Sequence, residues 1–153
     1  MKSKKHLSLK SALAAFVALG LAGCAASPAR EVISTKEAAA AVGPYSQAIK
    51  FGNLLFLAGQ IPIDPKTNRL NTGSIEDQTK LVLENLKAIL AAGGMTMDDV
   101  VSTSVFLKDL NDFPKVNAVY GSYFKDRPPA RATVQVARLP LDVLVEISAI
   151  AAK

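Results

Sequence analysis

The spacing of hydrophobic positions along this chain changes several times, and each change marks an element. Residues 32–35, VIST, read as a short strand. GPYSQAIKFGNLLFLAGQIP holds two strand-like runs around Gly52-Asn53, a hairpin signal. DPKTNRLNTG is a polar loop. From Ser74 the period turns helical. Ile75, Val82, Leu86 and Ile89 share a face, Asp77 makes a variant capping box with Ser74, and AAGG stops the helix. DVVSTSVFLKD then alternates, with Val101, Thr103, Val105 and Leu107 against Ser102, Ser104, Phe106 and Lys108. That is a central strand. LNDFPKVNAVYGSYF predicts a second helix capped by Asn111, with Phe113, Val116, Tyr120 and Phe124 as its inner stripe. Pro114 is tolerable only in the first turn. Strands over 131–138 and 144–151 close the chain.

The order β, β, β, α, β, α, β, β predicts an α+β domain, a mixed sheet with both helices on one face. The last strand complicates that picture. Val145, Ile147 and Ala149 point one way, Leu144, Glu146 and Ile150 the other, and neither is a plain solvent face. A sheet apolar on both sides, with helices enough for one, predicts an oligomer.

RPPARATVQVARLP, residues 127–140, is the odd strand. Alternation puts Arg131, Thr133, Gln135 and Ala137 on one face and Ala132, Val134, Val136 and Arg138 on the other. A half-buried strand normally hides a uniform apolar row, so the polar row needs a partner.

Charge and the start of the chain change the picture next. MKSKKHLSLK is basic without an acid, and SALAAFVALGLAGC is a short apolar run ending in small residues. This is the three-part form of a secretory signal. The run is shorter than the roughly 20 residues that span a bilayer. Its end, Leu-Ala-Gly-Cys, resembles a bacterial lipobox, which implies cleavage after residue 23 and acylation of Cys24, the only cysteine. Ala25 in the next position resembles sorting to the periplasmic face of the outer membrane. Residues 24–31 read as a tether, and 32–153 as one domain. The anchor would be the sole membrane contact. Lys2, Lys4, Lys5 and Lys10 fall in the leader with no acid, so the formal charge of +5 drops to +1 without it. The basic balance is therefore no argument for a nucleic-acid partner.

The single histidine, His6, lies in the leader. Beyond it the chain offers no His base and no His metal ligand, which excludes most serine hydrolases and zinc enzymes. Arg, Glu, Asp, Tyr, Asn, Ser and Thr must carry any chemistry.

PPARATVQVARLPLDVLVEISAIA resembles the C-terminal signature of the Rid family, the reactive intermediate deaminases. AVGPYSQAI, LFLAGQIPIDPKT, ENLKAIL and SVFLKDLNDFPKVNAVYGSYF resemble the rest of that family, in order, over residues 31–153. The resemblance implies a chorismate-mutase-like fold and a homotrimer whose sheets form an inner barrel, with ligand clefts between subunits. It implies hydrolysis of small 2-imino acids, 2-iminobutanoate and 2-iminopropanoate, to 2-keto acids and ammonia without metal or organic cofactor.

The same resemblance implies roles residue by residue. Arg131 falls on the arginine that grips the substrate carboxylate, and a guanidinium suits that task as a planar fork that keeps its proton. Its bland alternative is a surface ion pair. Glu146 falls on a glutamate beside the reacting centre, where it would activate water or relay a proton to the leaving amine. Its alternative is a carboxylate satisfied by backbone or by an arginine. Tyr45 borders the pocket, Asn117 lies near the cleft, and Gly59 lets backbone approach the ligand. Thr133 stands where many members carry cysteine, and Ala58 where serine is common, which removes a hydroxyl. The loop KDRPP is short. A rival reading keeps the trimer as a non-enzymatic carboxylate-binding or interaction module of the cell envelope.

One distance is awkward. If strands 131–138 and 144–151 formed a tight hairpin, Glu146 would sit opposite about residue 136. Arg131 would then be some 17 Å away at about 3.4 Å per residue. Either the two strands are not neighbours, or the glutamate comes from another chain.

Overall fold

The computed structural model describes residues 29–153. The leader, Cys24 and most of the tether lie outside the described residues.

Six strands build the main sheet: β1 (Arg30–Ile33), β2 (Ala48–Phe51), β3 (Leu54–Gln60), β6 (Val100–Leu107), β7 (Ala130–Gln135) and β8 (Val145–Ala152). Their spatial order is β1-β2-β3-β8-β6-β7. Strand β1 starts two residues before the predicted one and ends two earlier, so the domain takes in the last part of the tether. β2 and β3 form the hairpin expected at Gly52-Asn53, with Gly52 at φ 61°. The polar loop is not featureless. Ile63–Asp64 (β4) and Arg69–Leu70 (β5) pair as a miniature hairpin inside it.

Helix α1 (Ile75–Ala92) begins where the capping pattern puts it. Ser74 Oγ accepts from the Asp77 amide at 3.1 Å, and Gly93 closes the far end. Helix α2 (Phe113–Tyr123) departs from its predicted cap. Asp109, not Asn111, holds the entry: its Oδ1 accepts from the Asn111 amide at 2.9 Å. A 3-10 turn over Leu110–Asp112 follows, and α2 starts only at Phe113, with Pro114 in its first turn. A carboxylate two residues earlier can satisfy the free amides of that turn, so the asparagine is not needed as the cap.

Both helices pack on one face, as the α+β reading expects. Leu55, Leu57, Val105, Leu107, Val145 and Ile147 from the sheet meet Val82, Leu83, Leu86, Ile89, Leu90 and Val116 from the helices. Among the described residues, no helix covers the opposite face. Strand pairing sets Val32, Ile49, Phe56 and Ile150 in a line across four strands of that face. Val32 is 54% and Phe56 42% exposed.

The last two strands are not a hairpin. β6 lies between β7 and β8, pairing parallel with β7 and antiparallel with β8. α2 is the crossover that a parallel pair requires. β7 also stops at Gln135, short of the predicted 138. Arg138 instead clasps Asp142 at 2.7 Å across a turn in which Leu141 and Asp142 take positive φ.

Candidate functional site

The predicted site residues gather in two places. The first is the helix-free end of β8 and β3. Leu57 pairs with Ala149 and Gln60 with Ile147, so Ala58 and Gly59 together stand opposite the single Ser148. That is a β-bulge, which takes a residue out of the ladder and bends the strand. It brings Gly59 under the side chain of Glu146. A Cβ at position 59 would overlap Glu146 Oε1 and lie 2.9 Å from its carboxyl carbon, so only glycine leaves the carboxylate where it is.

Glu146 is half-buried and has no hydrogen-bond or ion-pair partner among the described residues. Burial raises its carboxyl above the usual range. Of its two readings, a carboxylate already satisfied by its own chain therefore fails. It lines a cavity of about 300 Å³ with Tyr45, Gly59 and Ala58, whose remaining wall is Val42, Ile61 and Pro140. Tyr45 is half exposed, and its hydroxyl accepts from the Val42 amide at 3.2 Å. The buried Gln47 fastens the loop behind them. Its Nε2 donates to the carbonyls of Ala39 (2.7 Å) and Thr35 (3.1 Å), and its Oε1 accepts from the Thr35 amide (2.6 Å).

The second place is the helix-covered side of the edge strand β7. Arg131 pairs with Thr103, whose side chain faces α2. Arg131 Nη2 donates to Asn117 Oδ1 at 2.8 Å. Its guanidinium carbon lies 4.5 Å from the centre of the Tyr120 ring and 5.5 Å from that of Phe113. No carboxylate among the described residues reaches it, so the ion-pair alternative has no partner here. Two residues along the same face, Thr133 Oγ1 is buried without a hydrogen-bond partner. Within the polar row that looked out of place in the sequence, Arg131 thus meets an amide and two aromatic rings, while Thr133 keeps an unsatisfied hydroxyl.

The structure therefore brings Tyr45, Gly59 and Glu146 together, and separately Arg131, Asn117 and Thr133. It does not bring the two sets together within one chain. Sequence reasoning missed the part that Phe113 and Tyr120 play under Arg131, although the signal was there: 113, 117 and 120 are spaced i, i+4 and i+7 on one helix face. It also missed Gln47. No periodicity marks a buried amide in a loop.

Comparison with known proteins adds identity to this geometry. The family model described as Endoribonuclease L-PSP matches residues 35–153. A RutC family protein of Pyrococcus horikoshii is 60% identical over 124 residues, covering 81% of this chain and 98% of that one. A Salmonella typhimurium protein named 2-iminobutanoate/2-iminopropanoate deaminase is 47% identical over 126 residues, 80% of this chain and 98% of that one. Among solved structures, E. coli TdcF with bound serine superposes with a TM-score of 0.77 at 44% identity, covering 80% of this chain and 98% of that one.

Proposed function

The chain belongs to the Endoribonuclease L-PSP family, the Rid proteins that its motifs resemble, and on that premise we propose that it hydrolyses 2-imino acids to 2-keto acids and ammonia. The observation that carries the reading is Arg131: a guanidinium held by a neutral amide and two aromatic faces, with no acid beside it. Such a group has spare donors for a ligand's carboxylate.

The chemistry needs little else. Arg131 holds the imino acid by its carboxylate and presents C2 to a water. Water adds its oxygen to C2 while its proton passes to Glu146. The carboxyl then gives that proton to the nitrogen, forming a carbinolamine. The carboxylate next takes the carbinolamine's hydroxyl proton and passes it to the amine, so that the C–N bond breaks as the C=O bond forms and ammonia leaves a ketone. A carboxylate whose ionised form is disfavoured by burial takes up a proton more readily than a free one and can then return it. Orientation supplies the rest.

Both halves must meet one small ligand, and one chain keeps them on opposite sides of its sheet. The reading therefore includes a homotrimer, in which Arg131, Asn117 and Thr133 of one protomer face Tyr45, Gly59 and Glu146 of its partner. The uncovered row of Val32, Ile49, Phe56 and Ile150 supports burial of that sheet face between protomers. The serine in TdcF supports a small carboxylate as the class of ligand.

The test is imine hydrolysis with 2-iminopropanoate or 2-iminobutanoate generated in situ. Loss of a charge-assisted hydrogen bond of about 1.5–3 kcal/mol makes Arg131→Ala lower in kcat/KM by roughly 10- to 150-fold. Unchanged hydrolysis in that variant would overturn the clamp. Ala58, which withholds a hydroxyl from the cavity wall, favours a second reading: a carboxylate-binding module. That reading expects product acid to bind without imine turnover. The family model's nuclease name has less support, since the charge outside the leader is only +1.

A further inference from the structure

We propose that Tyr120, locked by Thr103, is the positioning residue that sets the plane and reach of the Arg131 guanidinium. The inference rests on the reading of Arg131 as the carboxylate grip and goes one layer beneath it.

The arrangement is closed on itself. Thr103 is the residue paired with Arg131 across the β6–β7 ladder. Its Oγ1 lies 2.7 Å from the Tyr120 hydroxyl, and both side chains are buried. So the strand that fixes the backbone of Arg131 also fixes the ring on which its head group rests. Phe124 presses on that ring from the next turn, with centroids 4.5 Å apart. Burial raises the Tyr120 hydroxyl, which keeps it neutral and the Thr103 hydrogen bond in place. The ring has one orientation, and its face lies 4.5 Å from the guanidinium carbon.

An arginine side chain carries rotamer entropy that would otherwise be lost each time a carboxylate binds. Seated on a fixed ring and tied to Asn117 by one N–H, the fork is already oriented, and its other donors remain for the ligand. Thr103 and Tyr120 touch no ligand in this account. They act through Arg131.

The test is a double-mutant cycle between positions 120 and 131 in the full chain. The readouts are KM and kcat for imine hydrolysis and the dissociation constant for the product acid 2-oxobutanoate. Tyr120→Leu should raise KM and weaken 2-oxobutanoate binding by about 2- to 30-fold, the range of a cation–π contact, with kcat within about 3-fold because the proton transfers are unaffected. In an Arg131→Ala background the same change should add nothing. Tyr120→Phe keeps the ring but breaks the Thr103 lock, so it should recover only part of the loss and match Thr103→Val. Equal losses in both backgrounds would make Tyr120 a packing residue and overturn the inference. If Arg131→Ala is costly while Tyr120→Leu is silent, the inference alone falls. If Arg131→Ala is itself silent, the clamp falls and takes the inference with it. Should Tyr120→Leu not fold, Thr103→Val removes only the hydroxyl that locks the ring. It must then raise KM in the wild-type background and not in Arg131→Ala.

Discussion

Arg131 and Glu146 point from opposite faces of one sheet. Arg131 pairs with Thr103 and Glu146 with Phe106, three residues apart on the same strand β6, so their side chains diverge. The strands that carry them are second neighbours, not a hairpin. This removes the awkward distance of the hairpin assumption and replaces it with a stricter condition: a single small ligand meets both groups only if two chains supply them.

Phe56→Asp probes that condition. It sets a charge in the middle of the apolar row opposite Ile150 without replacing any residue of the two groups. The buried helix-side core is untouched, so the chain should keep its far-UV circular dichroism. Sedimentation should move from the proposed trimer to monomer, and the proposed imine hydrolysis should fall with it. A monomeric variant with full activity would show that one chain holds a complete site.

Gly59→Ala tests the bulge. Its methyl would occupy the space of the Glu146 carboxylate, whose flexible end can swing away at small cost in stability. The fold should survive, while kcat drops by at least about 10-fold, as expected when a general base leaves hydrogen-bond reach. Binding of 2-oxobutanoate at Arg131 should stay near that of the parent. Unchanged kcat in Gly59→Ala would mean that the carboxylate has no part in the proton transfers.

Glu146→Gln should separate activity from stability. Burial raises the folded carboxyl above its ordinary 4.5. Above the raised value both folded and unfolded chains are ionised, and the folded state bears the whole desolvation cost. Below 4.5 both are protonated and the cost is gone. Wild-type stability therefore rises as pH falls through that window. Glu146→Gln, which has no charge to desolvate, should melt higher than wild type at pH 7, and the gap should close towards pH 4. Its kcat should be lower by about 10²–10⁴-fold. Calorimetry across pH decides the first point: a gap that does not change with pH would mean that the carboxyl is not desolvated.

Gln47→Leu should loosen the wall of the cavity. The amide donates to the carbonyls of Thr35, Ala38 and Ala39 and accepts from the Thr35 amide, and a leucine of similar size removes all of these bonds. The expected cost is about 1–3 kcal/mol for each group that stays buried, seen as a lower Tm. Chemical denaturation measures it, and a wild-type midpoint would refute the role.

Much of this was legible along the chain. The hairpin at Gly52-Asn53, the Ser74 cap, the faces of α1 and the alternation of β6 follow from turn chemistry and period, which act between residues close in sequence. The face of Arg131 was legible too, because alternation alone sets it. What the sequence left open was which strands lie side by side. Two alternating runs at 131–138 and 144–151 look like a hairpin. Only the α2 crossover, which makes β7 a parallel neighbour of β6, sends β8 to the other side. That choice is made by long-range burial of the helices and cannot be read from either strand. The same holds for the bulge at Gly59 and for the aromatic seat under Arg131, which exist only once β3, β8 and α2 are packed. The sequence thus determined the chemical groups and the faces that carry them. Tertiary structure decided that they stand in two separate groups, because a sheet of this order keeps its two faces apart.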